Sequence, residues 1–356
     1  MIELQHVTKR YPDGTEAVKD LSFTAPTGQI TALVGPSGCG KTTTLRMINR
    51  LIEPTEGTIL LDGDDVTRQD KVALRRRIGY VIQSAGLMPH KRVLANITTV
   101  PRLMGVKKAE CEARARELLD LVGLDQSFAD RFPAQLSGGQ SQRVGVARAL
   151  AADPPFMLMD EPFSAVDPIV RQQLQQEFLA LQKRVAKTIV LVTHDIAEAL
   201  LLGDQIVVLG QAAAIEQQGT PYELLSNPAN EFVSDFLGRS RGYQALGFEQ
   251  AGDLPLQPGP VVRASDLGRA DPRRWTLILD DGGRPAGWQR GTEHRAAIAA
   301  IRFPAESLRV CLDSALAGPS GLGVAVDADG VFRGTFRLGD VLAQAAFDSQ
   351  PWEGPQ

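Results

Sequence analysis

The segment formed by residues 35–42, GPSGCGKT, constrains the fold more than any other part of this chain. The apolar run before it, Ile30–Val34, predicts a buried strand, and the apolar residues after it recur with helical spacing. A strand, a glycine-rich turn and a helix form the context that a phosphate-binding P-loop requires. The turn directs backbone N–H groups at phosphate oxygens, and the helix directs its positive end at the same anion. The segment therefore predicts a nucleotide phosphate site in an α/β domain rather than a chance glycine-rich turn.

Two side chains of this segment have predicted roles of their own. Lys41 can reach the terminal phosphates of a nucleotide, and the hydroxyl of Thr42 can ligate Mg²⁺. The residues predicted to contact the nucleotide here are Gly35, Pro36, Ser37, Gly38, Cys39, Gly40, Lys41, Thr42 and Thr43.

Composition argues against several classes of protein. Hydrophobic residues make up 43% and charged residues 22% of the 356, which is ordinary for a globular chain long enough for two domains. A net charge of −4 argues against a nucleic-acid partner, since such proteins usually carry a basic stripe. The three cysteines have no metal or redox spacing, and no apolar run is long enough to span a membrane. We therefore expect an intracellular protein that reaches a membrane only through a partner.

Polar residues follow three further predicted strands, at the sheet edge where α/β proteins bind ligands. Gln83 follows the apolar run 78–82 and could ligate Mg²⁺ or the attacking water, although alone it would be only a polar strand end. Asp160 is predicted to hold Mg²⁺ through water, and Glu161 to orient or deprotonate the attacking water, with a solvated acidic turn as the alternative. His194 could contact the γ-phosphate, whereas a lone loop histidine is more often structural.

Two other segments also have a possible nucleotide role. Tyr11 lies in a turn between two β-rich segments, where its ring could stack on adenine or pack on the surface. Residues 136–140, LSGGQ, begin a predicted helix, and a turn of small residues at a helix start is an anion site, although a weak signal alone. Residues 85–133 have a helical pattern that indicates an insertion. Strands that otherwise alternate with helices predict a mostly parallel sheet.

The order of these motifs resembles the ATP-binding cassette of ABC transporters, over residues 1 to about 237. The matching segments are Tyr11 (A-loop), residues 35–42 (Walker A), Gln83 (Q-loop), residues 136–140 (signature), residues 156–161 (Walker B with its catalytic glutamate), residues 164–167 (D-loop) and His194 (H-loop). The resemblance implies a P-loop α/β fold with an antiparallel β subdomain and a helical subdomain. It also implies ATP and Mg²⁺ as cofactors and ATP hydrolysis as the activity.

The resemblance also implies a second copy of this chain as a partner. In that family two cassettes pack head to tail, and the signature of one closes on the ATP of the other. The chain departs from the family at Ser141, where many relatives carry Gln, and at residues 210–214, which replace a more glycine-rich turn. The residues that the resemblance assigns to the shared site are Ser137, Gly138, Gly139, Gln140 and Asp167.

Two segments resemble one subfamily in particular. Residues 84–90 and 96–101 are similar to ATPases of osmoprotectant importers for glycine betaine, choline or carnitine, and residues 218–221 are common in importer cassettes. We therefore expect the ATPase subunit of an importer, held at the cytoplasmic face of the membrane by integral permease subunits and served indirectly by a solute-binding protein. The alternatives are an importer ATPase for amino acids, polyamines or sugars, a soluble ABC ATPase outside transport, and a regulatory module without turnover. Glu161 and His194 argue against the last.

The remainder of the chain contains an internal repeat. Asp280 and Gly283 recur 47 residues later as Asp327 and Gly330, and each copy predicts a strand, an acidic glycine turn and a strand. The pattern resembles a degenerate pair of CBS modules, in which Asp340 corresponds to the aspartate that often binds ribose. A purely structural tail is the alternative. The predicted domains are residues 1–237 (ATP-binding), 238–250 (linker) and 251–350 (a smaller α+β regulatory domain).

Overall fold

The computed structural model describes residues 1–83, 85–164, 166–252, 254–295 and 299–345. The chain divides into two compact units, Met1–Leu237 and Gly238–Gln356. In the described ranges no helix has the length and apolar character of a membrane span.

The first unit contains two sheets surrounded by helices. Its strands are β1 (Ile2–Arg10), β2 (Glu16–Ala25), β3 (Ile30–Val34), β4 (Glu56–Leu61), β5 (Asp64–Asp65), β6 (Ile78–Val81), β7 (Phe156–Asp160), β8 (Thr188–Thr193), β9 (Gln205–Leu209) and β10 (Ile215–Gly219). Its helices are α1 (Lys41–Ile48), α2 (Lys71–Arg76), α3 (Val93–Ile97), α4 (Thr99–Leu103), α5 (Lys108–Leu121), α6 (Gly138–Leu150), α7 (Pro168–Val185), α8 (Ile196–Leu202), α9 (Pro221–Ser226) and α10 (Glu231–Leu237).

The central sheet has the strand order β10-β9-β3-β8-β7-β6. All its neighbouring strands are parallel except β10, which pairs antiparallel with β9, so the predicted mostly parallel sheet is confirmed. Because parallel neighbours end at the same edge, the segments after β3, β6, β7 and β8 meet there. Those segments are the P-loop, Gln83, Glu161 and His194.

The second sheet, β2-β1-β4-β5, is antiparallel throughout. Its apolar face shares one hydrophobic core with α1 and the central sheet, in which Leu4, Leu45 and Val207 are buried. This sheet therefore lies against the helix that follows the P-loop.

Helices α3 to α5 lie in residues 85–133, the segment predicted to be a helical insertion, and α6 follows them before β7. Their apolar side chains, among them Ile97, Leu118 and Val144, form a second core that also includes Met159 of β7. α6 carries the LSGGQ motif at its start and packs against β6 and α5. The insertion is therefore a packed part of the ATP-binding unit.

The second unit contains two small sheets, β11-β12-β13-β14 and β15-β16-β17. Its elements are α11 (Arg241–Ala245), β11 (Val261–Arg263), β12 (Thr276–Leu279), β13 (Pro285–Arg290), β14 (Glu293–Arg295), β15 (Ala300–Arg302), α12 (Leu308–Ala317), β16 (Leu322–Val326), β17 (Phe332–Arg337) and α13 (Leu338–Gln344).

The predicted strand–turn–strand arrangement of each repeat copy is confirmed. Asp280 Oδ1 accepts a hydrogen bond from the backbone N–H four residues later, and Asp327 Oδ1 does the same in the second hairpin. Gly283 and Gly330 have φ values of 76° and 80°, a conformation that favours glycine. The two copies share a core that includes Trp288 of the first and Val324 of the second.

The copies differ in their helices. In the second copy α12 lies between β15 and β16, and α13 follows β17. In the first copy a 3₁₀ turn at Ala264–Arg269 follows β11, and β14 follows β13. Part of the predicted linker is packed into this unit, because Leu246 joins a core with Leu308 and Phe336 of the second copy.

Candidate functional site

The P-loop turns around the side chain of Lys41. Gly38 and Gly40 have φ values of 80° and 110°, which side-chain-bearing residues rarely adopt. Lys41 is only 6% exposed, and its Nζ donates to the carbonyl oxygens of Gly35 at 2.7 Å and Pro36 at 2.8 Å. No ion pair of this ammonium occurs in the described part of the chain. A buried cation held by neutral carbonyls leaves its charge uncompensated, so the loop fits a phosphate group.

Two glycines of the loop permit close contact with neighbouring strands. A Cβ on Gly35 would lie 2.2 Å from the carbonyl oxygen of Leu209, and a Cβ on Gly40 would lie 2.4 Å from that of Ala17. The loop is therefore held between β9 and β2. Of the other predicted phosphate-contacting residues, Pro36 and Ser37 are exposed, Cys39 is buried, and Thr42 and Thr43 are half-buried.

The segment 210–214, which departs from the family, also supports the P-loop. Ala213 N donates to Cys39 O across 2.7 Å. Ala212 and Ala213 have φ values of 53° and 58°, in the left-handed region that glycine usually occupies. The substituted turn thus keeps a backbone conformation that glycine usually adopts. Its strained residue Ala213 is hydrogen-bonded directly to the P-loop.

Thr42 and Asp160 are brought together across the sheet edge. The Thr42 hydroxyl donates to Asp160 Oδ1 at 3.0 Å. Burial raises the pKa of the Asp160 carboxyl, the Thr42 hydrogen bond opposes that shift, and the charge of Glu161 adds to it. A hydroxyl and a half-buried carboxylate are oxygen ligands of the kind Mg²⁺ prefers, so the pair fits that ion.

Glu161 is the point where two other predicted residues converge. Gln83 Nε2 donates to Glu161 Oε2 at 2.9 Å, and His194 Nδ1 lies 3.1 Å from Glu161 Oε1. The backbone N–H of Glu161 donates to Val192 O, and its φ of 46° places it in the left-handed region. Such strain at a non-glycine residue is typical of functional sites. The carboxylate is thus held at both oxygens.

A cleft of about 880 Å³ opens beside these groups and includes two side chains that the sequence analysis missed. Arg46 lies on α1, and Tyr80 lies on β6. Burial and the charge of Asp160 raise the pKa of the Tyr80 phenol. The signals available in the sequence were the position of Arg46 on the helix after the P-loop and the position of Tyr80 before Gln83.

Tyr11 lies at the turn that joins β1 and β2. Its backbone N–H donates to Thr15 O at 2.9 Å, and its half-buried ring has Lys9 Nζ 5.3 Å from the centroid. The same sheet contacts Gly40 through Ala17. Stacking of Tyr11 on adenine remains a prediction.

The signature residues lie apart from the P-loop cluster. Ser137 caps α6, where its Oγ accepts from Gln140 N at 3.3 Å and its own N–H donates to Gln140 Oε1 at 3.0 Å. Ser137 and Gly138 are exposed, whereas Gly139 packs against Leu174 of α7. Within the described ranges no hydrogen bond joins residues 136–140 to residues 35–43. Ser137 and Gly138 are therefore accessible at the capped N-terminus of α6.

Asp167 of the predicted D-loop caps α7. Its Oδ1 accepts a hydrogen bond from Val170 N at 3.1 Å. Arg171 of α7 donates to Val166 O at 3.0 Å and lies 3.7 Å from Asp195, one residue after His194. Ala165 of the same motif lies outside the described residues.

The two segments that resemble osmoprotectant ATPases are joined by one buried side chain. Asn96 accepts from Met88 N at 2.7 Å and donates to Met88 O and Lys91 O at 3.2 and 2.9 Å. It is fully buried. Asn96 therefore fixes the chain after Gln83 to α3. Ser84 lies outside the described residues.

Comparison with known proteins places these features in context. A family model described as ABC transporter matches residues 18–164. The osmoprotectant import ATP-binding protein OsmV of Salmonella typhimurium is 44% identical over 357 residues, which cover 94% of this chain and 93% of OsmV. The glycine betaine/carnitine/choline transport ATP-binding protein OpuCA of Bacillus subtilis is 53% identical over 266 residues, which cover 75% of this chain and 70% of OpuCA.

Solved structures agree with the fold. A dimeric ATP-binding cassette in a post-hydrolysis state, bound to ADP and Pi, is 35% identical, with a TM-score of 0.57. The match covers 62% of this chain and 99% of that one. These similarities confirm the resemblance drawn from the motifs.

Proposed function

Because the chain belongs to the ABC transporter ATP-binding proteins, and within them to those of osmoprotectant importers, we propose that it hydrolyses ATP to drive uptake of a quaternary-amine osmoprotectant. The observation that carries this proposal is the convergence of Gln83 and His194 on Glu161, beside the Thr42–Asp160 pair. In this arrangement Glu161 would be the carboxylate base, Gln83 and His194 would orient it, and Thr42 and Asp160 would form a cation site at the same sheet edge.

Each group has a role that follows from its chemistry. Lys41 and the backbone N–H groups of the P-loop would bind the phosphates. Thr42 and Asp160 would hold Mg²⁺, directly or through water, and that ion would offset phosphate charge when bound. Glu161 would orient or deprotonate the attacking water, with its carboxylate fixed by Gln83 and His194.

We propose a head-to-tail dimer of this chain as the active form. The exposed capping turn at Ser137 and Gly138, apart from the P-loop, supports this arrangement. The signature of one copy would then bind the ATP phosphates held by the other, with Gly139, Gln140 and Asp167 nearby. ATP binding would close the dimer, and hydrolysis would open it.

The proposed partners are integral permease subunits, which would hold the chain at the cytoplasmic face of the membrane, and indirectly a solute-binding protein. Support comes from the similarity to OsmV and OpuCA, which are ATP-binding proteins of osmoprotectant import and of glycine betaine/carnitine/choline transport. Apolar side chains at the end of α4 also support it, because Leu103 is 70% exposed and Met104 is 43% exposed. We assign no nucleic-acid partner.

We propose that the second unit is regulatory and resembles a degenerate CBS pair. Support comes from the element order of the second copy, β15, α12, β16, β17 and α13, and from the core shared by the copies. Asp340 Oδ2 accepts from Arg337 N at 3.2 Å and so caps α13. Because this carboxylate already has a capping role, we favour a response to ionic strength or to a partner over tight nucleotide binding.

Uptake by the assembled importer tests the function. The chain would be expressed with the permease and binding-protein subunits of an osmoprotectant importer, in cells that lack other osmoprotectant uptake. We expect uptake of labelled glycine betaine, choline or carnitine, and no uptake with Glu161→Gln. Uptake of an amino acid, polyamine or sugar instead would keep the ATPase assignment and refute the proposed solute. ATP hydrolysis without uptake of any solute would favour an ABC ATPase outside transport.

A further inference from the structure

Arg148, near the end of α6, holds the turn that follows β6 and Gln83. Its Nη1 donates to Gly86 O across 2.6 Å, and its Nη2 donates to Ala85 O across 2.7 Å. A guanidinium can reach two neighbouring carbonyls with one planar group, whereas a lysine amine cannot reproduce that fork. Arg148 therefore fixes two consecutive peptide units in one orientation.

The turn needs such support. Ala85 and Gly86 have φ values of 57° and 56°, and the left-handed region is unfavourable for alanine. Ala85 is 2% exposed and packs against α6 at Gly145, where a Cβ would lie 3.4 Å from the Cβ of Ala85. The N–H of Ala85 donates to Ile82 O across 3.0 Å. The turn thus joins α6 on one side and the residue before Gln83 on the other.

Stability alone is a poor explanation for this contact. Burial lowers the pKa of the Arg148 guanidinium, and no carboxylate forms an ion pair with it in the part of the chain that the structure describes. A half-buried cation without a counter-charge still loses part of its hydration, and such groups are retained in some proteins because they specify one conformation. The conformation specified here is that of the turn beside Gln83.

We propose that Arg148 is a positioning residue that couples the signature motif to Gln83. α6 begins next to Ser137 of LSGGQ, and its 13 residues span about 20 Å at the usual rise per residue. Its other end holds the turn that is bonded to Ile82, and Gln83 in turn contacts Glu161. When the signature engages the partner copy's ATP, a shift of α6 moves the amide that orients the catalytic carboxylate. This inference rests on the proposed function, which assigns roles to the signature, Gln83 and Glu161.

Arg148→Met in the full-length chain tests the coupling. We expect ATP affinity, measured by equilibrium binding, to stay within about twofold, because the P-loop is untouched. The kcat of ATP hydrolysis should fall roughly tenfold or more, the scale of losing a positioned group. In a Gln83→Ala background the same change should lower kcat by less than about twofold, because both act through one contact. Arg148→Lys, which keeps the charge without the fork, should give an intermediate kcat.

Arg143→Met is the matched control. Arg143 lies on the same helix, and its Nη1 donates to Val122 O and Gly123 O at 3.1 Å each, so it also holds two consecutive carbonyls, at a different turn. Unlike Arg148, it also forms an ion pair, with Glu177 at 2.8 Å. We expect this variant to have a lower Tm and an unchanged kcat. The change in Tm should be the same in the wild-type and Gln83→Ala backgrounds.

Three outcomes would overturn the coupling. The first is an equal loss of kcat in Arg148→Met and Arg143→Met, and the second is a kcat of Arg148→Met that matches the wild type. The third is a double variant whose fold-loss in kcat equals the product of the losses in Arg148→Met and Gln83→Ala. An unchanged kcat in Gln83→Ala alone would instead contradict the role of Gln83 in the proposed function. In that case a low kcat for Arg148→Met would refute transmission through Gln83.

Discussion

Gln83 donates a hydrogen bond to Glu161 across 2.9 Å, although 78 positions separate the two residues in the chain. The contact forms because β6 and β7 are parallel neighbours whose carboxyl ends meet at one edge of the sheet. It leaves the other carboxylate oxygen of Glu161 to His194. Both oxygens of the carboxylate are therefore held by protein side chains.

Glu161→Gln should leave ATP binding intact and slow hydrolysis by roughly 10²- to 10⁴-fold, the usual range for loss of a general base. Glutamine keeps the shape of the side chain and cannot accept the proton from water. Phosphate release under saturating ATP and equilibrium nucleotide binding measure the two effects, and gel filtration with ATP should show a persistent dimer. Asp64→Asn, which changes an exposed carboxylate near Arg77, is the control and should retain wild-type turnover. Near-normal turnover in Glu161→Gln would refute the assigned role.

Lys41→Ala and Ser137→Arg should fail in different ways. Removing the Lys41 ammonium should weaken nucleotide binding, because the phosphates lose their buried cation. Ser137→Arg should spare nucleotide binding and block dimer closure, because Ser137 is exposed on the face proposed to meet the partner. Mixing the two variants should give dimers with at most one competent site. Normal hydrolysis by Ser137→Arg alone would contradict the shared site.

Glu198 should make a contribution to the free energy of unfolding that falls as pH rises. Burial raises the pKa of this carboxyl, while a 2.5 Å hydrogen bond from Thr193 Oγ1 partly opposes the shift. The folded state then binds more protons than the unfolded state between the two pKa values, so the free energy of unfolding declines from about pH 4 upward through the raised pKa. Glu198→Gln should remove this decline. Urea unfolding of both proteins over about pH 4 to 8 measures it.

Glu223→Gln is the control, because the contribution of Glu223 to stability should depend on pH in the opposite direction. The backbone N–H of Thr220 donates to Glu223 and lowers the pKa of that exposed carboxyl. Its contribution to stability is present above the unfolded pKa and is lost as pH falls through the folded pKa. The Glu198 prediction is wrong if the free energy of unfolding of the wild type, relative to that of Glu198→Gln, increases as pH rises.

A chain ending near Gly238 should hydrolyse ATP and drive uptake with an altered dependence on salt. The first unit ends at Leu237 and contains the P-loop cluster and the signature, so ATP turnover should persist. Reconstituted vesicles with a range of internal salt, carrying full-length or shortened chain, measure the effect. Matching salt curves would indicate a structural second unit. Titration of the full-length chain and the shortened chain with AMP and ADP would separate nucleotide binding by the second unit from ionic sensing.

The sequence alone predicted the order of strands and helices, the P-loop and the polar strand ends, because these depend on local patterns of apolar, glycine and acidic residues. It also predicted both hairpins of the repeat, since Asp280 and Asp327 accept hydrogen bonds within their own turns. The exposure of the signature, residues 136–140, could not be predicted from those five residues, because it depends on how α6 packs against the rest of the unit.

Other features depended on the tertiary structure. The strand order brings Thr42 to Asp160 and both Gln83 and His194 to Glu161, and nothing local in the sequence specifies those pairs. In the sequence Arg148 is only a polar position on a predicted helix. Its contacts with the carbonyl oxygens of Ala85 and Gly86 depend on tertiary packing. The left-handed φ of Glu161 is also a tertiary effect, because isolated glutamate disfavours it. Local chemistry thus selects the residues, and long-range packing decides which of them act together.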